Sequence, residues 1–195
     1  MQKSILILGL AAGIVGCAHK GASGAAEETT PTAQVEQATP AAAASAGGAA
    51  ASAKLEPRSG NTTLAGQAQF SQTADGVKLV LRVEGAPPGE HGAHIHEKGD
   101  CSDPEAKSAG GHWNPAGHKH GAPPPSAVHL GDLGNIHVGA DGTGELTLSS
   151  AEWKLGGGSA EDLIGKAVVI HGGPDDLVSD PAGNSGPRIG CAVIQ

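Results

Sequence analysis

From Lys54 onward the chain alternates apolar and polar residues with a period of two. Thr63-Leu64-Ala65-Gly66-Gln67-Ala68-Gln69-Phe70 follows this rhythm, and Val77-Lys78-Leu79-Val80-Leu81-Arg82-Val83 sets Val77, Leu79, Leu81 and Val83 on one face. Successive side chains of a strand point to opposite faces, so this pattern predicts strands with one buried side. Asp75-Gly76 and Asp141-Gly142 are hairpin signals between such runs. Residues 93–97, 134–138, 144–148, 167–171 and 189–194 are further strand candidates. No amphipathic helix longer than a few turns is visible. The 32 glycines and 13 prolines supply turns and irregular loops. With no Tyr, one Phe and two Trp, the core must be built from Val, Leu, Ile and Ala. Many short strands separated by turn signals point to an antiparallel sandwich or barrel. Two long segments break the rhythm, residues 99–132 and 172–187. Long loops without structure of their own are usually functional.

The first 53 residues read differently. Lys3, the apolar run from Ile5 to Leu10 and the small apolar residues after it form an export signal over residues 1–16. That run is too short for a membrane-spanning helix, which needs about 20 apolar residues. It ends in Ile14-Val15-Gly16-Cys17, which resembles the lipobox of bacterial lipoproteins and implies a lipidated Cys17. Residues 17–53 then form a tether rich in Ala, Gly, Pro, Ser and Thr, without the apolar clusters that offset chain entropy. The folded domain is expected over residues 54–195, at a cell envelope, on its periplasmic side or outer surface. The formal net charge of −8 disfavours wholesale nucleic-acid binding. If lipid consumes Cys17, Cys101 and Cys191 remain as one pair. An exported pair can persist as a disulfide, with two reactive thiols as the alternative.

Nine of the ten histidines lie between His91 and His171. Neutral imidazole is the commonest metal-ligand side chain. His94 and His96 share one face of a strand and can converge on one ion. His112, His120, His129 and Asp132 lie within one polar loop and make a closed tetrahedral zinc set. His171 ends the apolar strand Ala167-Val168-Val169-Ile170.

The stretch His91-Gly92-Ala93-His94-Ile95-His96-Glu97-Lys98-Gly99-Asp100-Cys101 resembles the copper-site strand of copper,zinc superoxide dismutases. Ala109-Gly110-Gly111-His112-Trp113-Asn114-Pro115, His120-Gly121 and His129-Leu130-Gly131-Asp132-Leu133-Gly134-Asn135 are similar to that family's zinc loop. Gly165-Lys166-Ala167-Val168-Val169-Ile170-His171 and Gly186-Pro187-Arg188-Ile189-Gly190-Cys191 match its C-terminal signatures. The likeness runs from about residue 53 to the last residue, and the joint order of the motifs is highly specific.

The resemblance implies an all-β fold, an eight-stranded antiparallel Greek-key barrel or sandwich with two long functional loops. This family is itself a standard case of the sandwich architecture. It implies one copper per subunit at His94, His96, His112 and His171, and one zinc at His112, His120, His129 and Asp132. His112 would bridge both metals as an imidazolate. Asp175 would hydrogen-bond His94 and His120, and Cys101 would pair with Cys191. Arg188 would hold a small anion near copper, because its guanidinium stays charged. The implied activity is dismutation of superoxide to oxygen and hydrogen peroxide, with His112 and Arg188 as catalytic residues, in a homodimer or a monomer. Membrane contact would run through the lipid alone.

His19, His91, His118 and His137 have no implied metal role. Trp113 stands where Phe is usual, Pro123-Pro124-Pro125 stiffens the zinc loop, and residues 172–187 are poor in Lys. The alternative functions are a non-catalytic copper-binding or copper-delivery module on the same fold and a structural zinc-binding envelope protein. The first would lack a zinc ligand, the bridge or the arginine, and the second would lack the copper set. All of these residues are present.

Overall fold

The computed structural model describes residues 48–124 and 127–195. The signal, Cys17, His19, most of the tether and Pro125 lie outside the described residues. Among the described residues eight strands form: β1 (Ala50–Pro57), β2 (Ala65–Thr73), β3 (Gly76–Glu84), β4 (Gly89–His96), β5 (Asp132–Val138), β6 (Gly144–Ser150), β7 (Ala167–His171) and β8 (Arg188–Val193). Every neighbouring pair is antiparallel, and the sheet closes into a barrel in the order β1-β2-β3-β6-β5-β4-β7-β8. The chain leaves β3, skips two positions to β4, and returns through β5 and β6 to fill the gap, which is a Greek-key path. Among the described residues no helix is long and apolar enough to cross a membrane.

Alternation decides what fills the barrel. Val77, Leu79, Leu81 and Val83 of β3 are buried, while Lys78 and Arg82 between them are exposed. They meet Leu55, Phe70, Ile95, Leu133, Ile136, Val168, Ile170 and Ile194 in one apolar core. Each large side chain withdrawn from water in this way contributes about 1.5–3 kcal/mol. Trp153 is buried with its ring edge-on to Phe70, and its indole N–H donates to the Leu130 carbonyl at 2.9 Å.

Two sequence expectations are corrected in detail. The domain does not begin at residue 54, because β1 starts at Ala50 and pairs with β2 from Ala50↔Ser71 to Leu55↔Gly66. Its inward residues are Ala51, Ala53 and Leu55, and two alanines give little contrast with the outward Ala50 and Ser52. The β2–β3 turn is Ala74-Asp75, with Thr73 already opposite Gly76. Gly76 is required there by a close approach, since a methyl group would stand 2.2 Å from the Ser150 carbonyl oxygen.

The two long segments leave adjacent strands. One joins β4 to β5 and the other joins β7 to β8, and β4 lies beside β7. Ile95 and Ile170 point into the barrel, so His94, His96 and His171 point outward, yet all three are buried. The loops therefore roof this outer face. A second small core of Ala106, Ala109, Ala167, Val169 and Cys191 seats the first loop and its short 3-10 turn, Lys107–Ala109. The Cys101–Cys191 disulfide joins that loop to β8. Register shifts fall between Ala93 and His94 and between Ile170 and His171, so that Asp132 lies opposite His94 and Arg188 opposite His171. Irregularities of this kind re-aim side chains beside functional sites.

Candidate metal centre

The seven predicted ligands converge in one buried cluster on this roofed face. His112 Nδ1 lies 3.0 Å from Asp132 Oδ1, His120 Nδ1 lies 3.0 Å from the same oxygen, and His129 Nδ1 lies 3.3 Å from it. His129 Nδ1 is 3.5 Å from His112 Nδ1. A tetrahedral ion bound at about 2.0–2.1 Å separates its ligands by about 3.3 Å, so these four atoms form a cradle of zinc size. Asp132 offers Oδ1 alone, because Oδ2 accepts from the Gly121 and His129 amides at 3.0 and 3.2 Å.

The second cradle is defined by atoms that lack partners. Among the described residues, His94 Nδ1, His96 Nε2, His112 Nε2 and His171 Nε2 are buried nitrogens with no hydrogen-bond partner. Leaving one buried polar atom unpaired costs about 1–3 kcal/mol, so four together mark a site built for something else. Their residues could hold one ion, with ligand atoms all within 4.8 Å of one another. His94 also falls within 4.8 Å of ligand atoms of His112, His120 and Asp132, but its Nε2 is committed to Asp175 and its free Nδ1 completes the four-histidine set.

The other ring nitrogens explain why those atoms are free. His94 Nε2–H donates to Asp175 Oδ2 at 2.7 Å, and His120 Nε2–H donates to Asp175 Oδ1 at 2.9 Å. His96 Nδ1–H donates to the Gly110 carbonyl at 2.9 Å, and His171 Nδ1–H donates to the Gly186 carbonyl at 3.2 Å. Each partner fixes a tautomer and aims the opposite nitrogen at the cradle. Burial holds His94 down at about 4 and His171 at about 3, and it holds His96 well below the usual imidazole range. Neutral imidazole is the form that binds metal. Burial would raise Asp175, but its hydrogen bonds from His94 and His120 bring it to about 2. His120 is pulled down by burial, yet the bond to Asp175 and the charges of Asp132 and Asp175 raise it overall.

Arg188 donates from Nη1 to the Ala106 carbonyl at 2.7 Å and from Nη2 to the Gly110 carbonyl at 2.8 Å. The Gly110 oxygen thus serves both Arg188 and His96. Burial lowers Arg188, but a guanidinium remains charged near neutrality. Two open cavities flank Gly186, one of about 310 Å³ lined by His171, Asp180 and Ser185, the other of about 340 Å³ lined by Glu105, Lys107 and Arg188.

The remaining described histidines stand apart from the cradles. His91 is buried with its ring nitrogens 2.8 Å from the His171 carbonyl and 2.7 Å from the Pro87 carbonyl, so it braces the backbone of His171. His118 is exposed, and His137 faces solvent beside Glu90 at 2.7 Å. Three supporting residues escaped the sequence reading. Asn135 donates to the Asp175 carbonyl at 2.9 Å and accepts from its amide at 2.7 Å. Asp180 Oδ1 accepts from the His120 amide at 2.7 Å, and Gly183 packs against Asp175. No residue-type signal marks such roles, although Asn135 closes the His129–Asn135 stretch of the zinc loop.

A closed antiparallel barrel carrying two adjoining cradles rich in histidine belongs to the class of proteins whose residues could hold two metal ions side by side. Residues 64–194 match the family described as copper/zinc superoxide dismutase (SODC). The chain is 44% identical over 134 residues to "Superoxide dismutase [Cu-Zn] 2" of Aquifex aeolicus (strain VF5), covering 67% of this chain and 78% of that protein. Among solved structures, the clock protein EA4 superposes with a TM-score of 0.67 at 36% identity, covering 75% of this chain and 94% of that one. A SOD-like protein from Bacillus subtilis gives 0.64 at 34%, covering 72% and 95%. The chain belongs to the copper,zinc superoxide dismutase family, oxidoreductases that use copper and zinc.

Proposed function

We propose that the protein dismutates superoxide at the cell envelope, with His112 as an imidazolate between copper and zinc. One observation carries this reading. The two ring nitrogens of His112 face different cradles, Nδ1 toward His129 and Asp132, Nε2 among the unpartnered nitrogens of His94, His96 and His171. Copper would be held by that second set and zinc by His112, His120, His129 and Asp132. When bound, copper supplies a one-electron couple that one superoxide reduces and the next reoxidises, while zinc supplies fixed charge without redox chemistry. Two superoxide anions and two protons give one oxygen and one hydrogen peroxide.

The chain's own residues do the rest. Arg188, held by two carbonyls, presents a preorganised positive charge to the anion. His112 holds a proton at Nε2 in one half-cycle and yields it in the other. Asp175 keeps His94 and His120 oriented across both halves. Lipid on Cys17 and the tether would keep the domain at the membrane, as a homodimer or a monomer, protecting the envelope.

The test is superoxide consumption by the purified protein after loading with copper and zinc. His112→Ala abolishes activity, and Arg188→Ser lowers it roughly tenfold. A fully metallated but inactive wild type would leave a non-catalytic copper-binding module in its place.

A further inference from the structure

Arg58 follows β1 and lies outside both metal cradles. Its side chain is 15% exposed and its guanidinium is almost fully engaged. Nε and Nη2 both donate to the Cys101 carbonyl, at 2.9 and 2.6 Å, while Nη1 donates to the Pro57 carbonyl at 2.7 Å. Glu56 Oε2 accepts from Nη2 at 3.1 Å and steadies the charge. The Arg58 amide donates to the Ile189 carbonyl at 2.8 Å, and the next amide, Ser59, donates to the Pro104 carbonyl at 2.8 Å. Residues 57–59 therefore lie between β8 and the first loop and bind both.

That loop supplies both acceptors of Arg188, the carbonyls of Ala106 and Gly110. Besides the small apolar core and the Ser59–Pro104 bond, two links tie it down at Cys101 itself. One is the covalent bond from Cys101 to Cys191. The other runs from the Cys101 carbonyl through Arg58 to Ile189, the residue after Arg188. Hydrogen bonds from a charged donor are about twice as strong as neutral ones, and here two converge on one oxygen. This link runs through the Cys101 carbonyl and no sulfur atom, so opening the disulfide does not break it.

We infer that Arg58 is a positioning residue for Arg188, a clamp that keeps the acceptor loop docked when the disulfide is open. The inference rests on the reading of Arg188 as the anion-binding charge. Either link at Cys101 suffices to keep Arg188 in place; with both gone, the apolar core and the Ser59–Pro104 bond remain but let the acceptor carbonyls shift.

The experiment uses the full chain loaded with copper and zinc, in four forms: wild type, Arg58→Gln, Cys101→Ser with Cys191→Ser, and the triple variant. The rate with superoxide and the affinity for azide, read from the copper absorption band, are measured at verified metal content. Each partial variant should change both by less than about threefold, and the triple variant should lose about tenfold or more in both. Arg58→Lys in the disulfide-free background should recover part of the loss. A triple variant whose loss equals the product of the partial losses overturns the clamp.

A second measurement does not depend on activity or metal. In the metal-free chain treated with dithiothreitol, the Ala106, Ala109 and Gly110 amides, bonded to Asp103, Ala106 and Lys107 carbonyls, are followed by hydrogen exchange. Protection should persist in wild type and fall about tenfold in Arg58→Gln. Equal protection in both overturns the inference. A wild type that binds both metals and consumes no superoxide removes the dismutation reading instead, and the exchange result still decides the clamp.

Discussion

Position 183 can carry only a hydrogen atom. A methyl group there would stand 1.8 Å from Asp175 Oδ1 and 2.7 Å from His120 Nε2, and the backbone φ of +58° disfavours a side chain in any case. The atoms it would displace are the two ends of the bond that points His120 Nδ1 at Asp132. Gly183→Ala should therefore weaken zinc binding about 10- to 100-fold, the usual effect of disturbing a ligand's supporting partner. Competition with a chromogenic chelator measures this, and an unchanged affinity would refute it. The contrast with the candidate ligands shows what a sequence makes legible. Imidazoles are uncommon, chemically marked and spaced by strand periodicity, so His94 and His96 declare themselves. Gly183, Asn135 and Asp180 act through an absent methyl group or through backbone partners 40 to 60 residues away, contacts that only the folded chain brings together.

The strands were readable to the extent that their two faces differ. In β3 the inward residues are Val and Leu and the outward ones include Lys and Arg, so the period is plain. In β1 the inward Ala51 and Ala53 resemble their outward neighbours, and the run merges with the alanine-rich tether before it. The strand exists because its edges are satisfied on both sides. It pairs with β2 along six residues and with β8 at Glu56↔Cys191 and Pro57↔Gly190, and Ser52 exchanges two backbone bonds with Gln195 at 2.9 and 3.0 Å. A chain beginning at Lys54 would lose the pairs of Ala50, Ala51, Ser52 and Ala53 with β2 and both bonds to Gln195. At about 1 kcal/mol per net backbone hydrogen bond, it should be less stable by roughly 3–6 kcal/mol than a chain beginning at Gly48. Urea denaturation of the metal-free proteins checks this, and coincident midpoints would show that the barrel closes without those residues.

At the scale of the whole molecule, the metal cradles are a liability until they are filled. The barrel and its two loops bury a group of imidazoles whose ligand atoms have no other partner. In the metal-free protein this couples stability to pH, and the sign follows from proton counting. Burial depresses His94 to about 4 and His171 to about 3, and it also lowers His96 and His129. Between the ordinary imidazole value of 6.5 and these lower values the unfolded chain binds protons that the folded chain refuses. Stability then rises with pH and is lost as pH falls, at most about 1.4 kcal/mol per pH unit for each fully discriminating group. His120 works in the opposite direction, because it is raised, but it is one group against four. Asp175, lowered to about 2, adds a loss in the same direction as the four, at the more acid end between its ordinary value of 3.8 and about 2. The melting temperature of the metal-free protein should therefore decline steadily from pH 7 to pH 4. Replacing His94 and His171 with Gln should flatten that decline, since two of the discriminating groups are gone. A melting temperature constant from pH 7 to pH 5 in the metal-free wild type would mean that these rings take up protons freely in the folded state, and the loops could not then be roofing them.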